Sequence, residues 1–383
     1  MPADEKVAEK RVGWPELFFD LVFVVAVTRV SEFTGEHPSW GHLLKALIVF
    51  VPIYWLWVGT AIQTNLQDTE RPAFRLKLLV VALAGVFLAL ALPAAYGRLG
   101  LLFALAYWAG RLVLGTGLVH AAVRAGRLPV NPYSVSMVIT GPLLVVGALL
   151  HGTAREVVWG AAALLDLSTP SLLRSRLRLM HFDAAHLAER FGAFVLIALG
   201  ESVVAVGGSL DAEHLDVAQG FAVAVAFAVA AALWWVYFHF AADAMRHALA
   251  TAQVQLNITR LVLSYGHLAF IGAIILVADG LRRAIAAPGD ELPAASAGLL
   301  LGGAALYLAT FGFTRWAMFR LVSTTRLTAA AAVLVLLPLA PHAPALVTLI
   351  LLAAVLVVLN AVELIRVEQI GWRARLRRRV RAG

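Results

Sequence analysis

Residues 345–361 read ALVTLILLAAVLVVLNA and hold no charged side chain. The stretch from Leu76 to Ala95 is similar, with a single lysine near its start. An α-helix needs about 20 mostly apolar residues to cross a hydrocarbon core of ~30 Å. Over the whole chain 61% of residues are apolar and 14% are charged. In soluble domains about 45–50% of residues are apolar and about 25% are charged. The sequence therefore predicts an all-α, polytopic transmembrane protein, and a large soluble protein with buried helices fits it poorly.

Apolar segments of this length recur along the whole chain, and about twelve of them are expected to span the membrane. The sixth segment is the weakest candidate, because it is short and contains Asp166. The expected spans are residues 15–33, 42–62, 76–96, 99–122, 133–151, 155–172, 189–209, 218–242, 258–280, 296–316, 326–341 and 343–366.

The longest polar gap divides these segments into two sets of six. We expect a six-helix transmembrane half over residues 1–172 and a cytoplasmic connector over 173–188. A second six-helix half is expected over residues 189–366, followed by a basic cytoplasmic tail over 367–383.

Basic residues are distributed very unequally between the two sides of the membrane that these spans define. Of the 31 Lys and Arg residues, 24 fall on the side of the N-terminus. Only Arg98, Arg155, Arg282 and Arg283 fall on the opposite side. Cytoplasmic loops collect Lys and Arg, so both termini are predicted to be cytoplasmic.

The net charge of +8 is explained by this topology, so no nucleic-acid partner is expected. Six arginines crowd residues 373–381 of the tail. Such a run either contacts anionic lipids or acts only as a topological signal.

Several kinds of chemistry are excluded or unsupported. The chain has no cysteine, which excludes disulfides, thiolate catalysis and Cys-ligated zinc. The first apolar block carries Glu16 and Asp20, unlike a signal-peptide core, so this helix is expected to remain in the mature protein. No phosphate-binding glycine loop, nucleophile elbow or zinc-protease helix is present in the sequence. We therefore expect no metal and no cofactor.

The two halves share short patterns. Residues 16–18, Glu-Leu-Phe, begin the first helix, and residues 189–191, Glu-Arg-Phe, begin the seventh. The second and eighth helices each carry a tryptophan pair, Trp55 with Trp57 and Trp234 with Trp235. An even number of spans per half makes this a candidate parallel repeat. The alternative is that apolar helices resemble each other by composition alone.

Two segments resemble the bacterial low temperature requirement A family, LtrA. One is WPELFFDLVF at residues 14–23. The other is HLAERFG at residues 186–192, which runs into LGES at 199–202. The resemblance implies a multi-pass protein of the bacterial inner (plasma) membrane, linked by name to growth in the cold. It implies no established biochemical activity.

A charged side chain at the middle of a membrane-spanning helix raises the free energy of insertion by about 2.5–3.5 kcal/mol. Its presence therefore needs an explanation. Glu201 lies twelve residues after Glu189 and is expected near the middle of the membrane. It is either a protonatable or ion-binding carboxylate or half of a structural ion pair. Arg29 lies at a similar depth in the first helix. If the halves are repeats, Arg29 and Glu201 occupy nearly matching positions, so we expect them to approach each other.

Arg111 and His267 are also expected near mid-depth. Three potential cations, Arg29, Arg111 and His267, are thus expected at this depth with one carboxylate, Glu201. This excess of positive charge favours an anionic or proton-coupled substrate. The alternative for His267 is a neutral core histidine that bonds a backbone carbonyl.

A third group of candidates lies toward the cytoplasmic ends of the helices, where it would form a vestibule. Glu16 and Glu189 stand at helix starts, where acids also serve as caps. Asp20 lies one turn deeper than Glu16, and capping explains it less well. The remaining members are Arg190 and His186.

The eighth helix adds a possible metal-binding or proton-relay face. His239, Asp243 and His247 follow each other at intervals of four residues, which places them on one side of a continuous helix. A solvated helix end is the alternative.

These observations favour a small-solute or ion transporter or channel over an enzyme. Its partners would be the lipid bilayer and an unidentified solute, and the oligomeric state does not follow from the sequence. An intramembrane enzyme acting on a lipid or prenyl-type substrate is one alternative. A membrane factor in cold adaptation that transports nothing is the other.

Overall fold

The computed structural model describes residues 10–36, 39–126, 130–208, 216–239 and 241–382, the side chains of 206, 208 and 367–382 excepted. The predicted lipid contacts of the tail arginines therefore lie outside the described side chains. The helices are α1 (Trp14–Glu36), α2 (Trp40–Leu66), α3 (Pro72–Ala91), α4 (Gly100–Arg124), α5 (Pro132–Val135), α6 (Gly141–Leu149), α7 (Thr153–Leu172), α8 (Arg174–Leu177), α9 (Ala184–Gly208), α10 (Val217–Phe238), α11 (Ala242–Thr251), α12 (Gln255–Ile258), α13 (His267–Ala286), α14 (Ala294–Phe319), α15 (Thr324–Val335) and α16 (Ala345–Ala382).

Nine helical segments in the described part of the chain are long and apolar enough to cross a membrane. They are Trp40–Leu66, Pro72–Ala94, Gly100–Arg124, Pro132–Leu149, Val217–Thr251, Gln255–Ala286, Ala294–Phe319, Thr324–His342 and Ala345–Arg366. The predicted all-helical, multi-pass membrane protein is thus confirmed, but the count of twelve is not. Helices α1, α7 and α9 are 23, 20 and 25 residues long and lie outside this set. Each carries at least three charged residues.

Helix α3 shows how the apolar helices divide their surface. Leu76, Leu83 and Leu90, spaced by seven residues, are 64%, 54% and 54% exposed. On the other side of the helix Val81 and Leu88 are fully buried. A continuous exposed apolar stripe of this kind is unfavourable in water and is typical of a lipid-facing surface.

Two helices contain π-helical turns, at Ser136–Thr140 and Thr259–Gly266. The first joins α5 to α6, and the second joins α12 to α13. A π-turn shifts the backbone hydrogen bonds by one residue and is frequent at functional sites. Both segments contribute side chains to the region described below.

The chain divides into two compact units. The first comprises Met1–Glu201 and Asp243–Ile271, and the second comprises Ser202–Ala242 and Gly272–Gly383. In the first unit α1 packs on α2 and α3, and α4 packs on α2, α3 and α6. In the second unit α10 packs on α16 and α14 packs on α15. The six-helix halves expected from the sequence stay a prediction.

Within the first unit, α1 and α9 lie side by side and point the same way. Glu16 contacts His186 near the start of both helices. Thr28 donates a hydrogen bond of 2.6 Å to Glu201 further along both. Thr28 lies twelve residues after Glu16, and Glu201 fifteen after His186, so the contacts are separated by about 18–22 Å at about 1.5 Å per residue. Two helices that meet at both points in the same order are parallel.

The second unit is tied together by polar contacts between its helices. Arg326 of α15 forms two parallel hydrogen bonds of 2.8 Å with Glu363 of α16. Asn360 donates to the carbonyl oxygen of Ala232 on α10 at 3.1 Å. These bonds satisfy polar groups that would otherwise be costly among apolar helices.

Candidate functional site

A buried ionic cluster joins α1 to α9 in the first unit. Glu16, His186 and Arg190 are completely buried, and Asp20 is 2% exposed. His186 Nε2 lies 3.1 Å from Glu16 Oε1 and 3.2 Å from Oε2. The Arg190 Nη1 atom donates to Asp20 Oδ2 at 2.5 Å and to the Glu16 carbonyl at 3.1 Å. Four of the predicted site residues are thus brought together by helices that start 170 positions apart.

Trp57 of α2 closes the cluster from one side. Its Nε1 donates to Asp20 Oδ1 at 2.8 Å, and the Arg190 guanidinium lies 5.6 Å from its ring centre. Phe194 stacks on the same ring at 4.2 Å. Trp57 is therefore a buried hydrogen-bond donor rather than an interfacial anchor, because its whole side chain is enclosed.

Asn65 and Asp183 fix the orientation of His186. The Asn65 amide accepts from Asp183 N at 3.1 Å and donates to Asp183 O at 2.9 Å, which determines which amide atom is nitrogen. That nitrogen lies 3.1 Å from His186 Nδ1. Since Nδ1 must accept this bond, the ring proton sits on Nε2 and faces Glu16.

The cluster holds an uneven number of charges. Two carboxylates, Glu16 and Asp20, face one guanidinium, Arg190, while the hydrogen bonds place a single proton on His186. Arg190 Nε and Nη2 are buried and have no hydrogen-bond partner among the described residues.

A cavity of about 320 Å³ lies in the same unit. Some of its lining residues are buried, such as Trp55, Arg111 and Ser264. Others are half-buried, among them Gln67, just after α2, and Met180, between α8 and α9. The remaining lining residues are Val58, Gly59, Ile62, Gln63, Leu66, Leu118, Asn131, Pro132, Tyr133, Pro170, Leu177, Phe182, Leu256, Thr259 and Arg260.

Arg111 is the buried cation of this cavity. It donates to Ser136 Oγ at 2.7 Å and to the carbonyl oxygen of Trp55 at 3.3 Å. Its guanidinium lies 5.3 Å from the centre of the Tyr133 ring. Gly59 makes room for it, since a Cβ atom there would lie 2.5 Å from Arg111 Nη1.

Asp166, on α7, is the nearest carboxylate that the hydrogen bonds connect to Arg111. It accepts from Ser136 Oγ at 2.7 Å, from Thr140 Oγ1 at 2.9 Å and from the Tyr107 hydroxyl. Ser136 therefore relays between the guanidinium and the carboxylate, and the three hydroxyl donors satisfy Asp166 in a buried setting.

Arg260, in the second π-turn, supplies a further guanidinium to the lining. Its Nη1 donates to Ser171 Oγ at 2.7 Å, and its Nε is buried without a partner in the described structure. Tyr265 lies 3.1 Å from the same Ser171 hydroxyl and donates to Leu167 O at 2.6 Å. These bonds hold the π-turn against the end of α7.

Arg29 and Glu201 have different partners on α1. Arg29 pairs with Glu32 at 2.7 Å, and both side chains are more than 40% exposed. Glu201 is 2% exposed and accepts from Thr28, the chain neighbour of Arg29. An approach of Arg29 to Glu201 stays a prediction.

His267 is completely buried, and its Nδ1 lies 3.0 Å from the carbonyl oxygen of Val262. A carbonyl can only accept, so Nδ1 carries the ring proton. Phe191 and Phe270 pack edge-on against the ring at 4.9 Å and 5.4 Å. This surrounding is that of a core histidine.

The predicted cytoplasmic candidates do not all join the cluster. Glu189 is exposed on α9, and Asp243 is exposed on α11. His239 stacks on Trp235 at 4.9 Å. The expected face through His239, Asp243 and His247 stays a prediction; α10 ends at Phe238, just before His239, and α11 begins at Ala242. No group of three potential metal ligands occurs among the described residues.

Comparison with known proteins identifies the family. Residues 11–361 match the family model described as bacterial low temperature requirement A protein (LtrA). The chain belongs to the LtrA family. It is 30% identical over 318 residues to the uncharacterized protein RA0937 of Rhizobium meliloti (strain 1021). The matched region covers 80% of this chain and 77% of that protein. No solved structure matches the chain. The residues of this LtrA protein that carried the resemblance supply four members of the ionic cluster.

Sequence reasoning missed several residues of both regions. Trp57 stands out in the sequence only as a member of a tryptophan pair, and neither Asn65 nor Arg260 stands out at all. Asp166 weakens the sixth span, although a carboxylate inside an apolar helix is itself a signal. No sequence signal identifies Ser136 as a relay.

Proposed function

We propose that this LtrA protein is a multi-pass transporter of the inner membrane that moves a small solute. The cavity carries the proposal. It lies among helices long and apolar enough to span a membrane, and its lining combines a buried guanidinium with half-buried residues. Solute sites in membrane transporters are formed in this way, by interrupted helices that enclose a pocket at depth.

The proposal includes twelve spans with both termini in the cytoplasm. Helices α1, α7 and α9 are added to the nine apolar segments, since each is at least 20 residues long. The parallel contact of α1 with α9 supports this count. Two parallel helices start on one side of the membrane, which requires an even number of crossings between them, and six fits.

The same topology gives the cavity a direction. Gln67, Asn131 and Met180 are half-buried members of the lining, and the excess of Lys and Arg supports a cytoplasmic location for the chain around them. In this proposal the cavity opens toward the cytoplasm, and the buried Arg111 lies away from the opening. A carrier also visits a state in which the site opens outward.

The buried ionic cluster supports an association with protons. Two carboxylates, Glu16 and Asp20, share this buried site with His186 and Arg190. None of these residues is among those that line the cavity. The cluster would therefore act on solute movement through the packing of α1 against α9, not by touching the solute.

The enzyme alternative finds less support. Catalysis on a lipid needs an acid or base within reach of the substrate. The described residues that line the cavity include no Asp, Glu or His, and the acid–base groups of the cluster are enclosed.

Flux through liposomes tests the function. Purified full-length protein is reconstituted, and concentration jumps of potassium, acetate, benzoate and glycerol are followed by current or light scattering. We expect flux of at least one solute, reduced by more than half in Ile62→Trp, which fills the cavity. Leu83→Trp, on the exposed stripe of α3, is the matched control and should behave as wild type. Absence of flux for all four solutes, or equal flux in Ile62→Trp, contradicts the proposal.

Labelling tests the topology. The chain has no cysteine, so single cysteines can be introduced without a background. Ser175→Cys and Arg98→Cys replace exposed residues that the proposal puts on opposite sides. In intact cells a membrane-impermeant maleimide should label position 98 and leave position 175 unlabelled until the cells are opened. Labelling of both positions in intact cells would exclude the twelve-span arrangement.

A further inference from the structure

The charge balance of the cavity indicates what it binds. Arg111 and Arg260 both line it. The described lining residues include no carboxylate that faces them. Neither arginine forms an ion pair with a described carboxylate; Asp166, which is not a lining residue, interacts with Arg111 electrostatically and is bridged to it by the hydroxyl of Ser136. The cavity wall therefore carries an excess of positive charge.

Arg111 is a buried residue of the cavity wall. It is 1% exposed, and its Nε atom is buried without a hydrogen-bond partner in the described part of the chain. Its two direct acceptors, Trp55 O and Ser136 Oγ, are neutral. Removing a cation from water and giving it only neutral partners raises the free energy of the folded protein. An anion in contact with the cation would offset this desolvation cost.

Most of the remaining wall is apolar. Val58, Ile62, Leu118, Leu177 and Leu256 belong to the lining, and the rings of Trp55, Tyr133 and Phe182 complete it. Such a wall favours the burial of apolar surface at about 25 cal/mol per Å². A fully hydrated inorganic anion would lose water here and gain little in return.

We propose that the cavity binds an organic monoanion, a carboxylate joined to an apolar body, with the carboxylate against Arg111 and the body along the apolar wall. A guanidinium matches a carboxylate through two parallel hydrogen bonds, and Nε is free to provide one of them. The inference rests on the proposed function, since it names the solute class for the same site.

Binding of three molecules of equal size and different charge tests the inference. The full-length protein is placed in phosphatidylcholine nanodiscs, and equilibrium dialysis compares benzoate, benzamide and benzylammonium, with empty nanodiscs as the blank. Saturable benzoate binding is expected, weaker by about tenfold or more for the other two. Equal binding of benzamide, or no saturable binding of benzoate, would overturn the inference.

Variants locate the site. Arg111→Gln should weaken benzoate binding by about tenfold or more, and Ile62→Trp should remove it while leaving both arginines in place. Arg75→Gln is the control, because Arg75 is an exposed arginine of α3 that pairs with Glu70. Unchanged benzoate binding in a folded Ile62→Trp protein would refute the site even if Arg111→Gln failed to fold. Competition by inorganic phosphate as strong as by benzoate would refute the role of the apolar wall.

The two proposals can fail separately. Benzoate that binds saturably but is not moved in liposomes supports the ligand class and contradicts transport. Potassium or glycerol flux without any benzoate binding supports transport and contradicts the ligand class.

Discussion

Arg190 Nη1 lies 2.5 Å from Asp20 Oδ2, and the two side chains are 0% and 2% exposed. The two residues are 170 positions apart in the chain and belong to the two motifs that resemble the LtrA family. The two motifs therefore meet, because the carboxylates of α1 pair with the arginine of α9. In this protein they mark one helix–helix junction, not two separate sites.

Breaking this pair should strongly destabilise the protein. Asp20→Asn or Arg190→Gln leaves the other charge buried, which costs about 3–5 kcal/mol in a buried pair. Thermal unfolding of the detergent-solubilised protein measures the loss. The double variant should lose less than the sum of the two single variants, since neither charge is then stranded.

An exposed pair serves as the control for this experiment. Arg29 and Glu32 lie on the same helix as Asp20 and are 43% and 44% exposed. Arg29→Gln should change the stability by only about 0–1 kcal/mol. Two results would contradict the role of burial in the stability of the Asp20–Arg190 pair. One is a loss of stability in Arg29→Gln as large as that in Arg190→Gln, and the other is a loss in the Asp20→Asn, Arg190→Gln double variant equal to the sum of the single losses.

Local pattern was sufficient for the helices but not for the site. Each expected span has a helical counterpart in the structure, because a membrane helix satisfies its own backbone and needs only an apolar stretch. The number of membrane crossings is harder to predict, since α1, α7 and α9 carry the charges that function or packing requires. Their side chains lower the apolar signal where the protein is most specialised.

The ionic cluster was predictable in its members and not in its pairing. Glu16, Asp20, His186 and Arg190 were all candidates, because charges in apolar helices are rare. Which charge meets which depends on the rotation and depth of α1 against α9, and one sequence does not contain this information. The same limit applies to Arg29, whose ion pair with Glu32 one turn away is not among the pairings expected from the sequence.

The stability contribution of Lys10 should depend on pH. Lys10 precedes α1, and its Nζ donates to carbonyl oxygens at the end of α2, those of Thr64, Asn65 at 3.3 Å and Gln67 at 2.5 Å. Burial lowers the pKa of Lys10 from its usual 10.5, although Glu16 opposes the shift. Between the lowered pKa and 10.5 the unfolded chain binds more protons than the folded one, so stability rises with pH in that window.

A comparison with Lys10→Met isolates this effect. The unfolding free energy of wild type minus that of Lys10→Met should increase as the pH is raised from about 7 toward about 10, where an ordinary lysine still holds its proton. Denaturant titrations at several pH values measure the difference. If the difference in unfolding free energy between wild type and Lys10→Met is constant or falls with pH, burial does not lower the pKa of Lys10.

The arginine of the second unit should not tolerate a lysine. Arg326 binds both carboxylate oxygens of Glu363 at 2.8 Å and lies 4.5 Å from the centre of the Phe311 ring. A lysine keeps the charge but provides neither the planar pair of donors nor the stacked guanidinium. We expect Arg326→Lys to lose about 1.5–3 kcal/mol in thermal unfolding. Arg315→Lys, at an exposed arginine within α14, is the control, and an equal loss there would contradict the role of geometry.

Glu201 is the buried carboxylate outside the ionic cluster that we expect to affect transport. It is 2% exposed at the point where α9 meets Thr28 of α1, along the same pair of helices as the charged cluster. Glu201→Gln keeps the size of the side chain and removes its ability to ionise. If proton binding at α1 and α9 is coupled to solute movement, liposome flux should vary less with pH in this variant than in wild type. Thr28→Val is the matched control, because it removes the hydrogen-bond donor and leaves the carboxylate able to titrate. Its flux should keep the wild-type pH dependence. A Glu201→Gln protein with an unchanged pH profile would remove this residue from the mechanism, whereas loss of the pH dependence in both variants would assign the effect to the Thr28 contact and not to the charge.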